Sequence, residues 1–453
     1  MSAPKPSLRA LLTLALPMVL ARATQAVLTA CDAAFTAPLG SDSLTAVTTG
    51  GLNTFFFIVL PMGAVFIVQS FTAQLKGKGD VGGARRYGFY GLAIAVVAGL
   101  ASIAMIPLIG PALAIPYDGI LHDHMTDYMI IRLLSVTAVV GTEALGAWYG
   151  GLGNTWMQMI AGVVTMLTNV LLAWMLIFGK LGAPAMGVPG AALATVIACW
   201  IGFAVIAIAF FRGWGVPGGK PTGPLELKKS ELARVARFGL PNGVNWFLEF
   251  AAFQLFLNGV MPGLGKIALG GLMVVMAINS VAFMPAFGLA TSGAVLAGQA
   301  IGAGDKDAVW PHVRLTLIVT ATWMLTVAAV YLAFPRTILG WFAPPDHHDE
   351  LIAVGLTMLM VSACWQVFDA IGLTLTEVLR AAGDTTWSAG ARLVLAWAVF
   401  TPSAFIAVRV YGGGPGAAMG CLVLYLALLS AALGWRFKRG AWRKIELIEP
   451  QLV

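Results

Sequence analysis

LPMGAVFIVQSFTAQLKGKGD, residues 60–80, and MPAFGLATSGAVLAGQAIGAGD, residues 284–305, decide the fold, because the second repeats the pattern of the first. In each, a proline sits in an apolar run, a glutamine follows (Gln74, Gln299), and a Gly-Asp pair closes the stretch (Gly79-Asp80, Gly304-Asp305). Leu16-Pro17 likewise returns as Leu240-Pro241, and Gly153-Asn154-Thr155 as Gly383-Asp384-Thr385. Val188-Pro189-Gly190-Ala191-Ala192 returns as Gly414-Pro415-Gly416-Ala417-Ala418. Each match is weak alone, but all keep their order at an offset of about 225 residues, which is the mark of a duplicated chain. Both copies run in the same direction and each holds an even number of apolar stretches. They should therefore be related by an axis along the membrane normal, with a cleft between two lobes, which is the architecture of a transporter.

Composition sets the class. Apolar residues make up 59% of the 453 residues and charged residues 10%, far below the ~25% charge of soluble domains. Mean hydropathy is +0.87. A span needs ~20 apolar residues, and about twelve such stretches separated by short loops consume most of the chain. The expectation is an all-α integral membrane protein of about twelve transmembrane helices in two pseudo-symmetric six-helix lobes. The N-lobe covers 1–211 and the C-lobe 237–435; the Gly-, Pro- and Lys-rich stretch 212–236 is the inter-lobe linker, and 436–453 a tail. The N-terminus imitates a signal peptide, with Lys5 and Arg9 before the apolar run Leu11 to Leu20, but that run continues to Thr36 and its Leu-Pro start recurs in the second half, so it reads as a first span.

The net charge of +7 does not indicate nucleic acid, because the basic residues fall in short loops and tails. With the N-terminus inside, twenty basic residues lie on that side and only four, Lys180, Lys266, Arg336 and Arg409, on the other. The outer loops carry Asp118, Asp123, Asp127, Asp346, Asp349 and Glu350. Both termini are therefore expected in the cytoplasm, with the chain multi-pass in a plasma membrane, for a bacterium the inner one. Cys31, Cys199, Cys364 and Cys421 sit in apolar stretches without ligand spacing. His122-Asp123-His124 and His347-His348 lack the spacing of a helix-borne metal site, so no metal and no cofactor is expected. Neither a phosphate-binding Gly-Lys-Ser/Thr loop nor a nucleophile motif is present, which argues against an ATP-driven machine and against an enzyme.

Five acids lie inside the expected spans: Asp32, Glu143, Glu249, Asp369 and Glu377. A carboxylate at mid-bilayer costs ~2.5–3.5 kcal/mol on insertion scales, so each must face protein or water, bind a cation or be protonated. Gln25, Thr29 and Thr36 share a helix face with Asp32; Ser362, Gln366 and Thr376 share one with Asp369; Asn242, Asn245 and Phe253 share one with Glu249. Three polar stripes on separate helices point to a solvated internal site. Glu143, on a helix with Gly141, Gly146 and Gly150, is as consistent with packing as with function. Glu377 should pair locally with Arg380. Arg22 either snorkels or pairs. The 24 Phe, 14 Trp and 19 Met are mainly packing or lipid-facing, and a fraction suits a wall that accepts ligands of variable shape.

With those residues in view, the chain resembles the multidrug and toxic compound extrusion (MATE) transporters, in their NorM-like branch. The resemblance spans nearly the whole length. It is carried by Leu16-Pro17, Asp32 followed by LGSDSLTAV, Phe178-Gly179-Lys180 leading into GVPGAALATV, LPNGVNWFLEF with Glu249, and Asp369 followed by LRAAGDT. It implies twelve helices in two lobes, a cleft open alternately to each side, and efflux of small cationic amphipathic compounds driven by inward H+ or Na+. By position it implies a cation site at Asp32, Asn169 and Thr195, and C-lobe carboxylates at Glu249 and Asp369; the polar stripes add Asn245 and Gln366 to the candidate binding residues. Two departures stand out: Ala173 where a second Asn or Asp is usual, and Trp365 where a Tyr is often found. Fewer oxygen donors favour H+ over Na+. The expected partners are small organic cations and membrane lipids, without nucleic acid, and the protein is expected as a monomer. The rival reading is a flippase for lipid-linked saccharides or related anionic lipids, which would present several cationic residues to hold phosphates; the intramembrane charges read as mainly acidic.

Overall fold

The computed structural model describes residues 6–115, 119–216, 218–219, 225–342 and 348–448. Among these there is no strand. The helices of the first half are α1 Leu8–Thr36, α2 Ser41–Val65, α3 Val68–Lys78, α4 Val81–Ala104, α5 Ile106–Leu113, α6 Gly119–Leu133, α7 Val136–Gly151, α8 Trp156–Phe178 and α9 Val188–Arg212. Those of the second are α10 Lys229–Leu255, α11 Lys266–Gly302, α12 Val309–Ala333, α13 Pro335–Phe342, α14 His348–Ala381, α15 Thr385–Val394, α16 Thr401–Phe405 and α17 Pro415–Lys438. Among the described residues eleven helical stretches are long and apolar enough to cross a membrane, and twelve when α6 and α7, bent by 46° at their junction, count as one span. At 1.5 Å per residue the 23 residues of α8 reach about 35 Å, which covers a hydrocarbon core of ~30 Å.

The duplication is visible in the turns. Gly40 and Gly265, which precede the second span of each half, have φ 111° and 91° with the same ψ of 167°. Gly79 and Gly304 have φ 86° and 84°, and Gly153 and Gly383 have φ 78° and 88°. These are left-handed conformations open to glycine and costly for residues with a Cβ, so the glycines repeat because the reversals repeat. The Asp after Gly79 accepts from Gly83 N at 2.6 Å, and the Asp after Gly304 accepts from Ala308 N at 3.0 Å.

The chain forms two compact units, Pro17–Gly243 and Val244–Val453, the latter including Met1–Leu16. The stretch expected as a linker over 212–236 is helical from Lys229, and this opening part of α10 packs on the first unit. Asn242 Nδ2 donates to Gly63 O at 2.7 Å. A Cβ at Gly239 or Gly243 would strike the carbonyl oxygens of Ala64 and Leu60. Arg86 grips Glu231 with Nε and Nη2, both at 2.8 Å, and Tyr90 OH donates to the same carboxylate. The units change over at Pro17 in α1 and just past Pro241 in α10, the two repeated prolines, where the helix lacks an N–H donor.

In the first unit α4 packs on α7 through glycines: a Cβ at Gly91 would meet Ala144 at 2.8 Å. Such small residues let helices approach closely where lipid supplies no hydrophobic drive. In the second unit α14 is central, packing on α11, α12 and α17 around Leu359, Leu379, Met419 and Leu433. Helix α10 passes into a π turn at Phe256–Val260, and α15 into another at Leu395–Phe400. Such wide turns recur at functional positions.

Candidate functional site

In the first unit α1, α8 and α9 bring Asp32, Asn169 and Thr195 together. All three are buried. Asn169 Nδ2 donates to Thr195 Oγ1 at 3.0 Å, and that hydroxyl lies 3.2 Å from Asp32 Oδ2 and 3.0 Å from Ala191 O. The single hydroxyl proton is shared between carboxylate and backbone. Asp32 Oδ1 and Asn169 Oδ1 are buried without a hydrogen-bond partner. These are two acceptors with nothing to accept, a costly arrangement unless a proton, a cation or water serves them. One turn beyond Asn169, the buried Ala173 adds no oxygen.

The polar stripe of α1 divides. Asp32 and Thr36 are buried, while Gln25 and Thr29 are exposed, and Thr29 and Thr36 donate to their own helix carbonyls, Gln25 O and Asp32 O. Near Asp32 stands Arg132 of α6, flanked by Tyr128 and Cys199, its charge within electrostatic reach of the carboxylate. Arg132 Nε and Nη1 are buried without a hydrogen-bond partner. On the same unit Arg22 Nη2 meets Glu143 Oε1 at 2.7 Å, which resolves both residues as an ion pair between α1 and α7.

The second unit holds the other cluster. Arg392 of α15 donates from Nη1 to Glu249 Oε2 of α10 at 2.6 Å and from Nη2 to Thr376 Oγ1 of α14 at 2.9 Å. Asp369, two turns before Thr376, lies within reach of both charges and takes no hydrogen bond among the described residues. Tyr425 of α17 borders the same group. Trp397, in the π turn after Arg392, donates from Nε1 to Leu248 O at 3.2 Å, holding α15 beside the residue that precedes Glu249.

The stripe of α14 also divides. Gln366 Nε2 donates to Asn279 Oδ1 of α11 at 2.7 Å, and Asn279 Nδ2 to Ser362 Oγ at 3.3 Å, an amide network separate from the carboxylates. Asn245 is buried one turn before Glu249, whereas Asn242 is spent on Gly63 O. Glu377 and Arg380 form the local pair expected of them, with side chains 4% and 3% exposed. His122 is held by Asp123 at 3.0 Å and Gly110 O at 3.1 Å; Asp118, Asp346 and the His347-His348 pair fall on or beside residues outside those described.

The sequence pattern missed Arg132, Arg392, Asn279 and Tyr425. A signal for the arginines is present: of 27 basic residues, the charge pattern places all but Arg22, Arg132 and Arg392 in loops or tails. The expectation of mainly acidic intramembrane charge is corrected accordingly. Each intramembrane acid cluster contains an arginine, so scarcity of cations does not exclude an anionic cargo; what bears on that is that Arg22 and Arg392 are engaged by carboxylates.

The MatE family model matches residues 17–175 and 245–406, one match in each half. Probable multidrug resistance protein NorM of Thermotoga maritima is 26% identical over 444 residues, covering 96% of this chain and 93% of the relative. Multidrug resistance protein MdtK of Edwardsiella ictaluri is 24% identical, covering 88% and 87%. Among solved structures, a MATE transporter in complex with MaL6 superposes with a TM-score of 0.88 at 20% identity, covering 96% of this chain and 97% of that one. A MOP superfamily transporter from Pyrococcus furiosus, described as having a binding pocket of reverse polarity, superposes at 0.87 and 19%, with the same coverage. This chain belongs to the MatE family and is a membrane transporter, not an enzyme.

Proposed function

We propose that the chain is a cation-coupled antiporter that exports small cationic, amphipathic compounds by alternating access, with protons in preference to Na+ as the coupling ion. One observation carries the reading: the second unit gathers two carboxylates, Glu249 and Asp369, around one guanidinium, leaving a negative charge that a proton or the cationic group of the cargo can neutralise. Competition of the two for the same carboxylates couples their fluxes. The paucity of free oxygens at Asp32 and Asn169, together with Ala173, speaks for protons, since a hard cation wants several oxygen donors at once. The excess of basic residues on one side supports cytoplasmic termini, in a bacterial inner membrane. The protein works as a monomer in this reading.

The test is transport of a fluorescent organic cation in proteoliposomes under an imposed pH gradient and, separately, a Na+ gradient. The expected result is uptake driven by the pH gradient and lost in Asp369→Asn and Glu249→Gln. Folded protein that moves no cation under either gradient, but moves an anionic lipid, would replace this reading with the flippase.

A further inference from the structure

The acid clusters of the two units differ in charge balance. In the first unit, Asp32 stands with Arg132 and Glu143 with Arg22, one acid to one base each. In the second, Glu377 stands with Arg380, while Glu249 and Asp369 share Arg392. We infer that Arg392 is a resident counter-ion that fixes the charge capacity of the Glu249–Asp369 cluster at one, so that it accepts monovalent organic cations and discriminates against divalent ones. This rests on the antiporter reading above and names the charge class of its cargo.

The geometry explains how a side chain in the cluster can set that number. Arg392 is held at two points on two different helices, Glu249 of α10 and Thr376 of α14, so its charge has a fixed position. Its side chain is only 14% exposed, against 40% for Glu249. Glu249 is thus the accessible member and Arg392 lies behind it. Asp369 takes no hydrogen bond among the described residues and is the carboxylate that Arg392 does not grip. A single positive charge arriving at the cluster completes the neutralisation, and a second would stand beside Arg392 without a counter-ion, where like charges repel. In the first unit the two intramembrane acids, Asp32 and Glu143, each have an arginine of their own.

The experiment compares two probes of one biaryl size, the monocation 1-methyl-4-phenylpyridinium and the dication methyl viologen. Their binding to the purified full chain in detergent is measured at about pH 8, where unperturbed carboxylates are ionised. Wild type should prefer the monocation. Arg392→Gln should shift the ratio of the two dissociation constants toward the dication by about tenfold or more, while Arg392→Lys, which keeps the charge, should hold the wild-type ratio. The double variant Glu249→Gln/Arg392→Gln removes one charge of each sign and should also keep it. If Arg392→Gln does not fold, Thr376→Asp sets a further carboxylate beside Arg392 in the cluster and should move the ratio in the same direction. A ratio unmoved by either added negative charge, with both probes still bound, overturns the inference and leaves the antiporter reading standing. Failure of both probes to bind folded wild type overturns the two together.

Discussion

The two units share a scaffold and differ in what they bury. The first unit's Asp32 cluster is enclosed, charge-balanced and rich in unserved hydrogen-bonding atoms: Asp32 Oδ1, Asn169 Oδ1, Arg132 Nε and Arg132 Nη1. The second unit's cluster is half-open at Glu249, charge-unbalanced, and tied together by the two-point grip of Arg392. Duplication preserved the glycines that reverse the chain, because a left-handed turn leaves little choice of residue. It left the helix interiors free to place charge differently, because any buried arrangement is tolerated that pairs or usefully withholds its charges.

The largest expected difference between the clusters is in transport. Asp369→Asn should reduce pH-driven efflux by at least about tenfold without loss of folded protein, whereas Asp32→Asn should leave measurable efflux. Rates in proteoliposomes containing matched amounts of monodisperse protein decide this. Equal loss in both variants would mean that the balanced and unbalanced clusters do the same work.

Stability should show the reverse order. Asp32→Asn removes the carboxylate whose charge reaches Arg132, at a cost of about 3 kcal/mol, and the double variant Asp32→Asn/Arg132→Gln should recover most of it, because leaving one charge without its opposite costs more than replacing both. Thermal unfolding of the single and double variants in one detergent gives the comparison. A double variant as unstable as the single would place Arg132 outside the electrostatic partnership. The Arg22–Glu143 pair offers a smaller version, with a coupling energy of about 1–3 kcal/mol expected from the cycle of Arg22→Gln and Glu143→Gln.

Helix count and duplication were legible because both rest on local pattern: a span is ~20 apolar residues, and a repeat is a comparison of the chain with itself. Helical spacing also identified Asp32, Glu249 and Asp369 as acids with polar company. What spacing cannot reach is the partner on another helix. Arg22 and Glu143 are 121 residues apart, and Glu249 and Arg392 are 143 apart, so nothing in either helix's own periodicity announces the pair. The same limit explains the divided stripes. Gln366 and Asp369 are one turn apart on α14, yet the first faces Asn279 of α11 and the second Arg392 of α15, because different neighbours pass that face at different depths. Asn242 and Glu249 share a face of α10, but the changeover between units falls between them.

The smallest effect tests the comparison at its most exact correspondence. Asn154 and Asp384 occupy the same place in the two copies, each after a left-handed glycine, and each reaches to the end of the sixth span of its own half. Asn154 Nδ2 donates to Gly215 O at 2.8 Å. Asp384 takes two bonds from Arg436, at 2.7 and 3.1 Å, and Arg436 also lies 5.1 Å from the ring centre of Trp387. The task is the same and the chemistry differs: a neutral exposed amide in one half, a buried charge-assisted fork in the other. Exchanging them should therefore be asymmetric. Asp384→Asn loses a bidentate ionic contact with its acceptor side 4% exposed and should cost about 1–3 kcal/mol, moderated because Arg436 keeps its ring contact and some exposure. Asn154→Asp sets a carboxylate against a carbonyl oxygen, but in an exposed position where water can intervene, and should cost under ~1 kcal/mol. Thermal unfolding of the two single variants, read against each other, separates the cases. Equal losses would show that the turn, and not the chemistry grafted onto it, holds the sixth span in both halves.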